Sequence, residues 1–392
     1  MPNLTTKVVD GVVVALGDFG RSSVTGRRQR MRRSFPGMDE GEGRRAAAEW
    51  FEETLAGLES GSYWTVGEML SRYIDERVSR NDLAWNTEKT YRGWARRYAG
   101  PISRCRVPDV TTARLNQLFR QLLDEGATGA GPLSTNTVSK FRWFLKEAFE
   151  WFVDEGLIDR NPVAKTMSMR VERAEMEALD PESYRVLKGW LQEALADGST
   201  DKAAIAQRNA AFAIWLALVT GIRAGEACAV RRRDVKLRGV EKTLSVNGNV
   251  IVRGGRAERQ NKTKGRKTRS VTLTDRNVEA IREHMRWQEG YLDAVGLNTP
   301  LVTMDGTFVR PGFLSARFKR VVRSLGLPEG YHFHSLRHTH ATYLLEDGID
   351  AKTVQERIGH SRADTTLENY GHVMPGRDQR AAQAFEADWD SA

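Results

Sequence analysis

Apolar residues follow two different periods along this chain. Near the start, Val8 to Leu16 is a β-branched run broken at Gly11, and Arg27 to Phe35 is a second extended stretch closed by Pro36-Gly37. Ala47, Trp50, Phe51 and Leu55 then recur at helical spacing, which predicts a helix over Glu42 to Leu58. Together these predict a small sheet backed by one helix. From Tyr63 to about Val163 the period is helical throughout. One stripe holds Val66, Met69, Leu70 and Tyr73, a second runs from Thr87 to Tyr98, and a third, opened by Thr111, holds Leu115, Leu118, Phe119 and Leu122. Gly126 to Pro132 reads as a loop, and Ser134 or Thr135 caps the next helix, through Val138, Phe141, Phe144, Leu145, Ala148 and Phe152. The aromatic positions 141, 144, 149 and 152 read as core.

A third unit begins beyond a charged linker near Arg170 to Glu177. Asp180-Pro181 supplies a helix cap and a first-turn proline, and Gln207 to Val219 is a long apolar helix. Thr243 to Val252 reads as strand, Asn247-Gly248 turn and strand, the strongest short-range hairpin signal. Ser270 to Leu273 is another extended segment, and the remainder to Trp389 reads as helices with short loops. The expected fold is multi-domain and mainly α with small β-sheets, the third unit being α+β. The expected domains are 1–62, 63–168 and 169–392.

Composition narrows the partners. The chain has 392 residues, enough for two or three domains, and 60 Lys+Arg against 51 Asp+Glu give a net charge of +9. That balance favours nucleic acid. The longest apolar run, Ala210 to Val219, is shorter than the roughly 20 residues a bilayer requires, so no membrane partner is expected. No basic segment followed by an apolar one opens the chain, which predicts a cytoplasmic protein. Two cysteines, Cys105 and Cys228, exclude a disulfide scaffold and a cysteine-only zinc site, and Cys228 reads as packed. Arg27, Arg28, Arg30 and Arg32 lie in a cationic stretch without acids, so they are candidates for phosphate contact or simply a solvated strand. Lys140 and Arg142, with Lys89, Arg92, Arg96 and Arg97, could grip a DNA backbone or form a wet face.

Four segments of the third unit hold polar residues that a core would not want. In Thr220 to Glu226, Gly221 can end the apolar helix in a left-handed cap, so Arg223 projects from the turn and Glu226 can hold its guanidinium. Lys262 to Val271 is a cationic turn. In His334 to Arg337, Ser335 reads as an N-cap, which places His334 and Arg337 at a helix N-terminus. The fourth segment runs from Ile358 to His372. These segments supply two arginines, a lysine, two histidines and a tyrosine. Guanidiniums can clamp the oxygens of a phosphodiester, a lysine can protonate a leaving alkoxide, and a tyrosine can attack phosphorus. Such a site requires no metal or other cofactor, because the guanidiniums supply the charge stabilisation. The competing reading is a metal cluster of His332, His334, His338, His340 and His360. No His-Glu-x-x-His appears, and Arg337 would repel a cation there.

These residues resemble the tyrosine recombinase family, the phage integrases and Xer-type enzymes. Thr220 to Glu226 matches the family's Thr-Gly-Leu/Ile-Arg-x-Gly-Glu box, His334 to Thr342 its His-x-Leu-Arg-His box, and Ile358 to His372 its Gly-His-Ser and Tyr-Gly-His box. The stretch from Tyr63 to Val163 resembles the helical core-binding domain, and residues 1–62 resemble, more weakly, a small arm-type DNA-binding domain. The resemblance implies that Arg223 and Arg337 clamp the scissile phosphate. His334 would hydrogen-bond it and help accept the nucleophile's proton. His360 would bond a nonbridging oxygen, and Tyr370 would form a 3′-phosphotyrosine. An ungapped match back from Val271 selects Lys264 as general acid, and a match with one extra turn residue selects Lys262. Glu226 would orient the site.

The implied function is site-specific recombination by a phage or mobile-element integrase. The implied partners are double-stranded DNA attachment sites, a homo-tetramer on two paired sites, and an excisionase or a host DNA-bending protein. The rivals are a type IB topoisomerase-like enzyme and a catalytically idle DNA-binding regulator. The stretch from Gln379 to Trp389 is amphipathic and could pack on a neighbouring subunit or on its own domain.

Overall fold

The computed structural model describes residues 2–21, 28–59, 64–127, 131–156, 158–171, 178–261 and 268–359. The chain divides into two compact units, Met1–Arg173 and Ala174–Ala392.

The first unit opens with β1 (Asn3–Val9), β2 (Val12–Arg21) and β3 (Arg28–Phe35), an antiparallel sheet in chain order. Asp10 and Gly11, between paired Val9 and Val12, both take positive φ (51° and 75°), the turn conformation that suits the right-handed twist of a hairpin. Strand alternation turns Val13, Ala15 and Phe19 toward α1 (Glu40–Glu59), where Ala47, Trp50 and Phe51 complete a small core. The Phe19 and Phe51 rings stack at 4.8 Å. Arg28, Arg30 and Arg32 alternate onto the other face and are exposed.

Four longer helices follow: α2 (Val66–Ser79), α3 (Trp85–Arg97), α4 (Thr112–Asp124) and α5 (Thr135–Asp154). Thr65 and Glu68 form a reciprocal capping box at α2, and Thr111 caps α4. At α5 the cap is Ser134, whose Oγ accepts from the Thr137 amide at 3.3 Å. Phe141, Phe144, Phe149 and Phe152 of α5 are buried in one cluster with Met69, Leu70 and Tyr73 of α2 and Leu115 and Phe119 of α4, while Trp143 is exposed.

The second unit contains α6 (Pro181–Ala196), α7 (Lys202–Thr220), α8 (Ala224–Ala227), β4 (Val235–Lys236), β5 (Thr243–Val246), β6 (Asn249–Arg253), β7 (Arg256–Gln260), β8 (Arg269–Thr272), α9 (Asp275–Glu289), α10 (Pro311–Ser324), α11 (Phe333–Glu346) and α12 (Ala351–Ile358). Helix α7 is the centre of its core, packed against α6, α10 and α11. It starts at Lys202, capped by Asp201, so its 19 residues are long and apolar enough to cross a bilayer, unlike the shorter run read from sequence. Its burial among other helices is that of a core helix.

Three expectations need correction. First, Asn247-Gly248 is not a hairpin turn: β5 lies between β4 and β8, whereas β6 pairs with β7 in a separate sheet. Neither residue takes positive φ, and Asn247 is instead held between Asp234 and Arg259. The real hairpin turns at Gly254-Gly255, both at positive φ (53° and 79°). Second, Ser335 is not an N-cap. Helix α11 begins at Phe333 after the cap residue His332, and Ser335 Oγ accepts from the His332 amide at 3.2 Å. Third, residues 290–310 form a long connection without helix, pinned by Leu301 N–H to the Val230 carbonyl at 2.9 Å and by Arg232 N–H to the Thr299 carbonyl at 3.0 Å.

Candidate active site

The site grows from the end of α7. Gly221 caps that helix at φ 67°, and a Cβ there would lie 2.8 Å from both the His340 ring and the Ile358 side chain, so glycine is required twice over. The reversal puts Arg223 at the N-cap of α8. Its Nη1 donates to Glu226 Oε1 at 2.9 Å, its backbone N–H to Glu226 Oε2 at 3.0 Å, and its Nη2 to the Gly359 carbonyl at 3.1 Å. Arg337, on α11, is 1% exposed and its Nη1 donates to the Gly221 carbonyl at 2.6 Å and to the Ile358 carbonyl. Residues 358–359 thus receive both arginines. Gly359, the left-handed cap of α12 (φ 70°), lies against Arg269, whose Cδ would be 2.9 Å from a Cβ.

Glu226 is 1% exposed. It also accepts from Arg269 Nη2 at 2.8 Å and Nη1 at 3.3 Å. Burial alone would raise its carboxyl, but Arg269 and Arg223 outweigh burial and hold it at about 2. Arg269 Nε donates to the Arg357 carbonyl at 3.0 Å. Arg357 Nε donates to His340 Nε2 at 3.1 Å, and His340 Nδ1–H donates to the Leu218 carbonyl at 2.7 Å. Glu226 thus accepts from Arg223 and Arg269, while Arg337 and Arg357 donate to backbone carbonyls and to His340. Such a cluster is suited to an anion.

His334 stands in the first turn of α11, its ring edge-to-face with His338 at 4.9 Å. Burial, then His338, Arg337 and Arg223, depress its pKa to about 3. The imidazole is therefore neutral at physiological pH, with one ring nitrogen a donor and the other an acceptor. Arg223 and Arg337 meet at the carbonyls of residues 358 and 359, and His334 lies three residues before Arg337 on α11. His360, Tyr370, Lys264 and Lys262 lie outside the described residues. The sequence reading assigned no site role to Arg269 and Arg357, and named His340 only within the competing metal cluster. Arg269 was hidden in a run of cations, and nothing in the periodicity of α11 or α12 marks His340 and Arg357 as partners.

Residues 182–377, half of the chain, match the phage integrase family. The chain belongs to the phage integrase family. A XerC-like tyrosine recombinase of Caldanaerobacter subterraneus subsp. tengcongensis is 26% identical over 367 residues, covering 85% of this chain and 87% of that one. Among solved structures, this integrase-family chain is similar to the Tn1549 transposon integrase in complex with transposon right end DNA. That likeness has a TM-score of 0.66 and 20% identity, and covers 82% of this chain and 99% of the other. A lambda integrase dimer bound to a core site matches with a TM-score of 0.55 at 18% identity, over 93% of this chain and 94% of that one. This integrase-family protein is thus a tyrosine recombinase with the fold of integrases.

The cationic candidates outside this integrase site are placed unequally. Arg27 lies outside the described residues. Arg28 and Arg30 extend from the outer face of the first sheet, both paired with Asp18 through Nε, at 2.7 and 3.1 Å. Arg32 is exposed on the same face, and Lys140 is exposed on α5. Arg142 is already engaged within its unit: its Nε donates to Thr166 Oγ1 at 2.7 Å and its Nη2 to the Thr166 carbonyl at 3.3 Å, which ties α5 to the segment after it.

Proposed function

We propose that this tyrosine recombinase cuts and rejoins DNA at specific attachment sites of a phage or mobile element, through a 3′-phosphotyrosine on Tyr370. The observation that carries the reading is the convergence of Arg223 and Arg337 on the carbonyls of residues 358 and 359, with His334 on the same helix as Arg337. Two fixed guanidiniums stabilise the charge that develops on the nonbridging oxygens of a pentacoordinate phosphorus. His334 accepts the proton that Tyr370 gives up as its oxygen attacks. The bond from phosphorus to the 5′-oxygen breaks, and Lys264, or Lys262 if the turn carries an extra residue, protonates that oxygen. His360 bonds a nonbridging oxygen. Rejoining reverses these steps with a 5′-hydroxyl as nucleophile, so no external energy source is needed.

In this reading residues 1–62 bind arm-type sites, 63–168 grip the core site, and 169–392 carry the chemistry. Four copies act on two paired sites, in the cytoplasm where the DNA lies, with an excisionase or a host DNA-bending protein setting direction. The test is Tyr370→Phe against wild type on a nicked duplex carrying an attachment site selected by binding from the DNA around the coding sequence. Wild type is expected to form a covalent adduct mapped to Tyr370 and, on intact sites, a Holliday junction. The variant is expected to bind equally and form neither. Relaxation of supercoils without junctions would place the chain with the topoisomerases instead.

A further inference from the structure

The two carbonyls that hold Arg337 belong to segments far apart in sequence, the turn after α7 and the end of α12. A second pair of side chains spans those segments. His340 Nδ1–H donates to the Leu218 carbonyl at 2.7 Å while its Nε2 accepts from Arg357 Nε at 3.1 Å. A ring nitrogen accepts only when unprotonated, so these two bonds select one neutral tautomer. Arg357 Nη2 also donates to the Val219 carbonyl at 3.2 Å, and the Arg357 carbonyl accepts from Arg269 Nε at 3.0 Å. Leu218 and Val219 lie within three residues of Gly221, and Arg357 adjoins Ile358 in the chain. The absence of a Cβ on Gly221 lets the His340 ring approach that turn. An apolar pair of similar size could fasten α11 to α7, but it would fix no donor-to-carbonyl distance at either end.

We propose that Arg357 is a positioning residue for strand cleavage: acting through His340, it sets the separation between the Gly221 turn and the end of α12. That separation fixes where Arg223 and Arg337 stand and where the chain enters the segment that starts at His360. The inference rests on the reading of those two arginines as the phosphate clamp. Among the described residues, the charged groups facing the His340 ring are Arg357 from α12 and Arg337 from its own helix, with the Leu218 carbonyl from α7. Both cations oppose a second positive charge on the ring. Burial and then Arg357 hold its pKa at about 4.

The test uses the full-length chain and the same nicked attachment-site duplex. His340→Asn keeps a donor for Leu218 but loses the acceptor for Arg357. Arg357→Lys keeps the charge but cannot reach His340 and Val219 together. Each is expected to slow adduct formation at saturating DNA by about tenfold to a hundredfold, the effect of one hydrogen bond to a charged group. Duplex affinity should stay within about twofold. The double variant should be no slower than the slower single one, because both remove the same bond. His340→Gln, which can still accept from Arg357, should recover most of the rate, and Arg357→Gln should move the acid limb of the rate profile to higher pH. Adduct formation within about twofold of wild type in both single variants would overturn the proposal. So would equal losses of binding and cleavage, or multiplying effects in the double variant. Should Arg357→Lys fail to fold, the contrast between His340→Asn and His340→Gln decides alone. A wild-type chain that forms no adduct would overturn the recombinase reading itself, and the positioning role with it.

Discussion

Arg269 and Glu226 form a buried ion pair that joins β8 to the turn after α7: Arg269 Nη2 donates to Glu226 Oε2 at 2.8 Å, with the side chains 10% and 1% exposed. Removal of one partner from such a pair leaves an uncompensated buried charge, at about 3–5 kcal/mol. Arg269→Met leaves Glu226 with Arg223 and should fall at the low end of that range. Glu226→Gln leaves two guanidiniums without an anion and should fall at the high end. Urea unfolding measures both, and losses below about 1 kcal/mol would show that the turn stands without the pair.

Acid should destabilise the second unit in two overlapping windows. His284, His334, His338 and His340 are all held well below the ordinary 6.5, at about 3, 3, 4 and 4. Burial is the leading cause for each, and neighbouring arginines add to it. A depressed histidine favours the folded state above its unfolded pKa, because unfolding then takes up a proton only when the pH is lower. Stability is therefore full above about pH 6.5 and is lost as pH falls toward about 4 for His338 and His340 and about 3 for His284 and His334. Glu226 acts lower: its stabilisation holds above its ordinary 4.5 and is lost as pH falls toward about 2. Urea midpoints at constant ionic strength should decline from pH 7 to 5, with proton uptake on unfolding approaching four. His284→Gln should reduce that uptake by one. A flat profile between pH 7 and 5 would mean that these rings are accessible to protons in the folded chain.

The helical parts of the fold were legible where apolar stripes, caps and terminators agree: Thr111, Ser134 and Asp180 stand at helix starts, and Gly221 ends α7, whereas the start of α7 at Asp201 was not seen. The hairpin at Asn247-Gly248 was misread because the side chains claim the turn. Asn247 bonds Asp234 and Arg259, and a Cβ on Gly248 would meet the Arg259 guanidinium at 2.4 Å, so the glycine serves close approach and not a positive φ. Of the site, Arg223 and Arg337 could be found from local motifs. Arg269, His340 and Arg357 could not, since their partners lie 43, 122 and 17 residues away, a separation that no short pattern encodes.

Gly221→Ala should separate folding from catalysis less cleanly than any other change near the site. At φ 67° an alanine is strained by about 1–3 kcal/mol, and its Cβ would press on His340 and Ile358 at 2.8 Å. The residues that would move are those that place the Gly221 and Ile358 carbonyls under Arg337. The expected outcome is a stability loss of at least about 1 kcal/mol together with adduct formation slowed more than tenfold. Wild-type cleavage in a destabilised variant would show that the turn only caps α7.

Asp18 tests whether the arginine face of the first sheet meets DNA. Its carboxylate lies beside Arg30 on the neighbouring strand and pairs with both Arg28 and Arg30, whose side chains are 58% and 69% exposed. Exposed pairs contribute little to stability, so Asp18→Asn should leave the melting temperature nearly unchanged. Its effect on binding should be larger. The substitution frees two guanidiniums and removes a negative charge that repels phosphate, and each phosphate newly neutralised steepens the dependence of log affinity on log salt by about 0.9. Affinity for a duplex carrying the arm-type repeats should therefore rise at low salt and fall more steeply as salt increases, by one to two added contacts. Arg32→Ala, on the same face, should weaken binding and make the slope shallower by about one contact. Unchanged slopes in both variants would show that this face does not contact the backbone, and the role of residues 1–62 would have to be sought on α1 instead.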